Sequence, residues 1–267
     1  SVTAVSNVTV QGAGADQTVI LPASPAVTGN NVVNFTLTRV TAQGTHGSPA
    51  ALFGGNSNFA LTDNAFISQT QGVHLCCPTG SLVGPIEISN NEITAGTIGV
   101  DLRGIINRSI TITDNDITAQ IHGVKLKGHF DGASITIEDN RFSGGTGGIY
   151  LKGRFSSAIN LEGNEFNLAG SDEIRLKGHF SGPINGSAVT AAGLPGLKLK
   201  GHFGGVTIKH YDPLASALPG ILLGGYFEEA QTVSGQVITA EGVPGIKATG
   251  DFDALTLSHN DIWANRH

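Results

Sequence analysis

The sequence contains no methionine, one tryptophan and two cysteines, and only 13% of its 267 residues are charged. Each shortage excludes something. Cys76 and Cys77 are adjacent, so they cannot staple distant loops, and no zinc-ligand spacing exists. They read as two part-buried small residues, with a vicinal disulfide or a redox pair as the alternative. No apolar run reaches the roughly 18 residues that a spanning helix needs, so no membrane span is expected. Net charge is -6. That disfavours a nucleic-acid binder, which is normally basic overall. No cofactor is expected either: Gly12-Ala13-Gly14 lacks the third glycine of a dinucleotide fingerprint, and no helical pattern follows it. With no leader at Ser1 and no methionine, the chain reads as a processed mature protein or an excised segment.

Glycine is abundant instead, at 38 residues, about twice the usual share. It is periodic. Gly123 to Phe130 reads Gly-Val-Lys-Leu-Lys-Gly-His-Phe, and close copies run from Gly148 to Phe155, Glu173 to Phe180 and Gly196 to Phe203. Weaker copies start at Gly99, Gly220 and Gly245. The glycine after the strand falls at 104, 128, 153, 178, 201, 225 and 250, a period of 23 to 25 residues. A fixed period in that range, made of short strands and glycine turns, means a stacked repeat fold. Each repeat buries its apolar face only against its neighbours.

Two further patterns share the period. Ile86-Glu87-Ile88-Ser89, Ile110-Thr111-Ile112-Thr113 and Ile135-Thr136-Ile137-Glu138 alternate apolar and polar residues, as strands buried on one face do. An asparagine turn follows: Asp63-Asn64, Asn90-Asn91, Asp114-Asn115, Asp139-Asn140, Gly163-Asn164 and His259-Asn260. Asparagine tolerates the left-handed conformation and bonds nearby backbone, so a stacked ladder is expected. Behind it lies an apolar column: Phe66, Ile93, Ile117, Phe142, Phe166, Val189, Ile238 and Ile262. A second column is Phe130, Phe155, Phe180, Phe203, Phe227 and Phe252. Trp263 is placed to cover the last coil. The expectation is an all-β solenoid of parallel strands, about ten coils of 23 to 25 residues. It forms one domain over 1–267, with an irregular N-terminal coil in 1–30, regular coils in 31–262 and a terminal segment in 263–267.

The Gly-Ile-x-Leu strand, the Ile-x-Ile strand and the Asn-Asn-x-Ile/Phe turn resemble the single-stranded right-handed parallel β-helix of the pectin-lyase-like superfamily, over about residues 30 to 262. A leucine-rich repeat fails for want of the Leu-x-x-Leu-x-Leu-x-x-Asn spacing. Neither a capping helix nor a C-terminal cap is visible. Uncovered end coils would expose unpaired strand edges, so the expectation is a truncated chain, or an oligomer or an adjoining domain covering the open helix ends.

In the opening strand the outward residues, coil by coil, are His74 and Cys76, Asp101 and Arg103, Lys125 and Lys127, Tyr150 and Lys152, Arg175 and Lys177, Lys198 and Lys200. Leu222 with Gly224 and Lys247 with Thr249 end the series. Ten of the fifteen Lys and Arg residues sit in or beside this strand. Stacking at about 4.8 Å would align Arg103, Lys127, Lys152, Lys177 and Lys200 as a row of five like charges, which opposes sheet pairing. One account is a track for an acidic polymer. The other is a duplicated lysine whose stem covers apolar surface while its head stays in water.

The resemblance adds that this strand and its flanking turns form the substrate groove of pectate lyases and related enzymes. It implies a secreted or cell-surface protein whose partner is an acidic polysaccharide. Lys125, Arg175, Lys177, Lys198 and Lys200 are then the ligand-binding residues. For a lyase or uronan epimerase, the candidate catalytic residues are Asp101, Arg103, Lys127, Tyr150 and Lys152: a cation to neutralise the uronate carboxylate, and a base to take the C5 proton. Several of the enzymes' signatures are missing, namely a paired-aspartate cluster with Gly-His-Gly, an Asp-Pro-His motif and a calcium-binding aspartate set. The alternative is a non-catalytic β-helix segment of an adhesin, an autotransporter passenger or a phage tail protein. No metal site is expected. His129, His179 and His202 share one repeat position, and stacking of neighbouring rings accounts for them.

Overall fold

A computed structural model describes residues 2–3, 6–55, 57–76, 84–131, 134–169, 172–191, 197–212, 214–215, 220–241 and 244–265. Among the described residues every element is a β-strand and every pairing is parallel. No helix among the described residues is long and apolar enough to cross a membrane. The chain winds as a β-solenoid of about nine turns, one fewer than the repeat count suggests.

Three faces form. The first stacks the opening-motif strands, among them Gln71–Cys76, Ile98–Ile105, His122–Phe130, Gly147–Phe155, Asp172–Phe180 and Leu197–Phe203. The second stacks Ile86–Ser89, Ile110–Thr113 and Ile135–Glu138. The third stacks Glu92–Ala95, Asp116–Ala119 and Arg141–Gly144. The pairing also reaches into the segment read as irregular: Val2 lies opposite Gly29, and Val8 opposite Phe35.

Alternation sends one set of side chains inward. Val124, Leu126, Ile135, Ile137 and their counterparts are buried. The phenylalanine column forms as expected from Phe130 to Phe252, with ring centroids 4.5 to 5.1 Å apart and nearly parallel planes. Full burial of such a side chain contributes about 1.5–3 kcal/mol. The turn column differs in one place. Ala191, not Val189, stands opposite Phe166.

Two polar devices hold the coils in register. Asn64, Asn91, Asn115, Asn140 and Asn164 are buried; the side-chain oxygens of the last four accept from the backbone N–H of the ladder asparagine one coil before, at 3.0 to 3.1 Å, and that of Asn64 accepts from the Val40 N–H at 3.2 Å. The left-handed residue is the one ahead of the asparagine: Asp63, Asn90, Asp114 and Asp139 have φ of 54 to 58°. On the first face, Gly128, Gly153, Gly178, Gly201, Gly225 and Gly250 have φ of 141 to 157°. A Cβ at any of them would fall 1.9 to 2.0 Å from the carbonyl oxygen of the glycine one coil earlier. No other residue fits both that backbone conformation and that approach.

In the final described strand Ile262 is 45% exposed and Trp263 69%, and Trp263 stands in register opposite Thr239 on the coil before. Cys76 is disulfide-bonded, which replaces the expectation of a free small side chain; Cys77 lies outside the described residues.

Candidate functional site

The outward side of the first face carries the basic stripe, and parallel pairing fixes its register. One column runs Asp101, Lys125, Tyr150, Arg175, Lys198, Leu222 and Lys247. The next runs Arg103, Lys127, Lys152, Lys177, Lys200, Gly224 and Thr249. All ten candidate residues therefore share one surface. Lys127, Lys177 and Lys200 are exposed, and the others except Asp101 are partly so.

Asp101 is fully buried. Arg103 lies over it and donates from Nε to both carboxylate oxygens, at 2.9 and 3.0 Å, and from Nη2 to Oδ2 at 2.5 Å. These bonds push the Arg103 guanidinium above its usual range. His74, one coil earlier and opposite Asp101, has Nδ1 3.6 Å from the same carboxylate. Burial lowers the His74 pKa, against the pull of Asp101 and with help from Arg103 and Lys125.

The aspartate and arginine proposed for catalysis thus engage each other. That corrects the row of five charges: Arg103 is neutralised, and the unbalanced row is Lys127, Lys152, Lys177 and Lys200. Among the described residues no carboxylate lies within ion-pair distance of these four or of Lys125. Three neighbouring pairs remain, each costing on the order of 1 kcal/mol in water before the side chains splay.

Tyr150 stands among the cations. The Arg175 guanidinium carbon is 5.4 Å from its ring centroid, a cation–π contact. The His122 ring is 5.0 Å from it on the other side of the motif's first glycine. His122 escaped the sequence reading because it precedes the repeated motif; its place opposite Ile98 shows only in the register.

Beyond the glycine bend a third outward column runs His129, Arg154, His179, His202, Tyr226 and Asp251. The rings of His179 and His202 are in contact, with centroids 4.5 Å apart, but they are tilted by 46° and not stacked as expected. His202 also meets Glu228, with Nε2 2.9 Å from Oε1. Among the described residues no group of three or more His, Cys, Asp or Glu could hold a metal.

The face is shallow. Two hollows sit at either end of the stripe, one of about 500 Å3 around Asn30, Phe53, Gly54 and Cys76, the other of about 490 Å3 around Lys198, Lys200, Leu222 and Gly224. Both occur where glycine takes the place of a longer outward residue.

No curated protein matches the chain. No solved structure matches it. The family described as the right handed beta helix region matches residues 26–212 and, in a second overlapping alignment, 79–267. The stacked parallel faces, the glycine and asparagine ladders and this match together make the chain a member of the right-handed β-helix family.

Proposed function

We propose that this β-helix binds an acidic polysaccharide along the first face, outside the cell or at its surface. The observation that carries the reading is the in-register row Lys127, Lys152, Lys177 and Lys200, unbalanced by nearby carboxylates in a chain of net charge -6. Lys125, Arg175 and Lys198 flank the row on the same surface. Aligning four ammonium groups opposes sheet pairing. A polyanion laid along them turns their mutual repulsion into attraction, and releases counterions as it binds.

Of the groups proposed for lyase or epimerase chemistry, Tyr150, Lys127 and Lys152 face outward with the stripe, while Arg103, on the same column, is tied to the buried Asp101. The shallow face and regular coils support a second reading, a non-catalytic segment of an adhesin, autotransporter passenger or phage tail protein. The apolar last coil, with Ile262 and Trp263 exposed, supports a further copy or an adjoining domain seated there.

The test is calorimetric titration with pectate, alginate and a sulfated glycan at low and high salt, with ultraviolet absorbance followed for unsaturated products and NMR for epimerised ones. Salt-sensitive binding that falls at least tenfold in a variant with Lys127, Lys152, Lys177 and Lys200 all changed to Ala is expected. No salt-sensitive binding to any of the three polymers refutes the proposal. Product formation separates an enzyme from a binder.

A further inference from the structure

One coil departs from the stripe at both outward positions together. Opposite Lys198 and Lys200 it presents Leu222 and Gly224. The missing side chains leave the hollow of about 490 Å3. Its floor is Leu222 and the backbone at Gly224, one rim is Lys198 and Lys200, and the other is Thr249, which stands opposite Gly224 on the next coil. Two residues on, Tyr226 is half exposed and meets His202 edge-on at 4.9 Å.

The fold does not require this glycine. A Cβ on Gly224 would meet nothing closer than the Thr249 hydroxyl at 3.5 Å, an ordinary contact. Its neighbour Gly225 is the opposite case, with φ of 141° and a Cβ position 2.0 Å from the Gly201 carbonyl. The coils before it carry lysine at the Gly224 position without disturbing the pairing. The hollow is therefore a local departure from the repeat that packing does not explain. Its volume falls in the range of small-ligand sites, which combine an apolar lining with a few placed polar groups.

We propose that the hollow at Gly224 is a subsite for one sugar ring of the acidic polysaccharide. The ring's apolar face rests on Leu222 and its anionic group points to Lys200 and Lys198, while Tyr226, outside the lining and beyond the Gly225 bend, is placed to meet the neighbouring sugar. The ligand class rests on the function proposed above; the location rests on the hollow. The subsite anchors the chain at one end of the track, and the lysine row carries the rest.

This reading and a plain charge track predict opposite signs for one substitution. Gly224→Lys restores the residue of the preceding coils and extends the cation row by one. A plain track then binds tighter. A subsite is filled, and binding weakens. Calorimetry with oligogalacturonate, oligoalginate and heparin fragments on the full chain compares wild type, Gly224→Lys, Leu222→Lys and Tyr226→Ala. Ile105→Lys, exposed in the third column and remote from the hollow, controls for added charge.

The expected result is a loss of at least fivefold for Gly224→Lys and Leu222→Lys, a smaller loss for Tyr226→Ala, and unchanged or tighter binding for Ile105→Lys. Should Gly224→Lys fail to fold, Leu222→Lys, which also restores the repeat residue, carries the same sign test. Equal or tighter binding by the lysine variants overturns the subsite and leaves the track standing. Absence of salt-sensitive binding by the wild type overturns both.

Discussion

Replacing Asn115 by Ala should destabilise the protein by about 1–3 kcal/mol, although it removes only a short polar side chain. Asn115 lies near the middle of the ladder and is buried. Its Oδ1 accepts from the Asn91 backbone N–H at 3.0 Å and from Asn91 Nδ2 at 3.0 Å. Its Nδ2 donates to the Ile88 carbonyl at 2.9 Å, the Thr113 carbonyl at 2.8 Å and Asn140 Oδ1 at 2.9 Å. Most of the partners have other bonds. Asn91 Nδ2 still reaches the Leu61 and Ser89 carbonyls, Thr113 still accepts from the Asn90 N–H, and Asn140 Oδ1 still accepts from the Asn115 N–H. The Ile88 carbonyl keeps its ladder bond, since the parallel register aims the Thr113 N–H at it. The loss that matters is at the Asn91 N–H, and a buried donor left without its partner costs about 1–3 kcal/mol. Equilibrium urea unfolding reads the total, and amide exchange at Asn91 reads the local term. A loss below about 0.5 kcal/mol, with Asn91 exchange unchanged, would refute the idea that the ladder holds the coils together.

Other perturbations follow from the same geometry. Gly153→Ala should cost more than about 2 kcal/mol in urea unfolding, because φ is 143° and the new Cβ would fall 1.9 Å from the Gly128 carbonyl; Gly186→Ala, with nothing within 4 Å of its Cβ position, is the control and should cost little. Burial lowers the His74 pKa in the folded state, so the unfolded chain binds more protons once pH falls below the ordinary histidine value of about 6.5. The His74 contribution to stability is therefore complete above that value and is lost as pH falls through the window down to the folded pKa. His74→Gln should flatten that part of the stability profile, and an unchanged slope would refute the assignment.

The fold was legible in the sequence because its constraints repeat. Val124, Leu126 and Phe130 recur at positions where only an inward side chain makes sense, and Gly128 recurs because stacking leaves no room for a Cβ. The ladder asparagines were legible as turns, but their roles were split differently by the structure. The left-handed backbone falls to Asp114, and Asn115 is free to reach across coils. The stripe was legible too, since alternation fixes which lysines face out. What could not be read was pairing between side chains. Asp101 and Arg103 looked like two reactive groups. Their spacing of two residues on one strand puts them on the same side, and the geometry then joins the buried Asp101 to the partly exposed Arg103. His122 lay outside the repeated motif, and its contact with Tyr150 depends on the register alone. Gly224 was visible as a break in the lysine series. Only the surface shape shows that the break is a hollow.

The glycine ladder on the first face has a consequence for how this protein can change. Because each glycine abuts the one before it, coils join only in one register, and a partial coil cannot be inserted without destroying it. A whole coil can be added or removed with every inward contact regenerated. The length of the outward face is therefore a whole number of steps of about 4.8 Å, and the charges on it are graduations on a ruler whose spacing the backbone fixes. Selection can lengthen the ruler, or rewrite a single graduation as at Gly224, and it cannot stretch the interval between two of them.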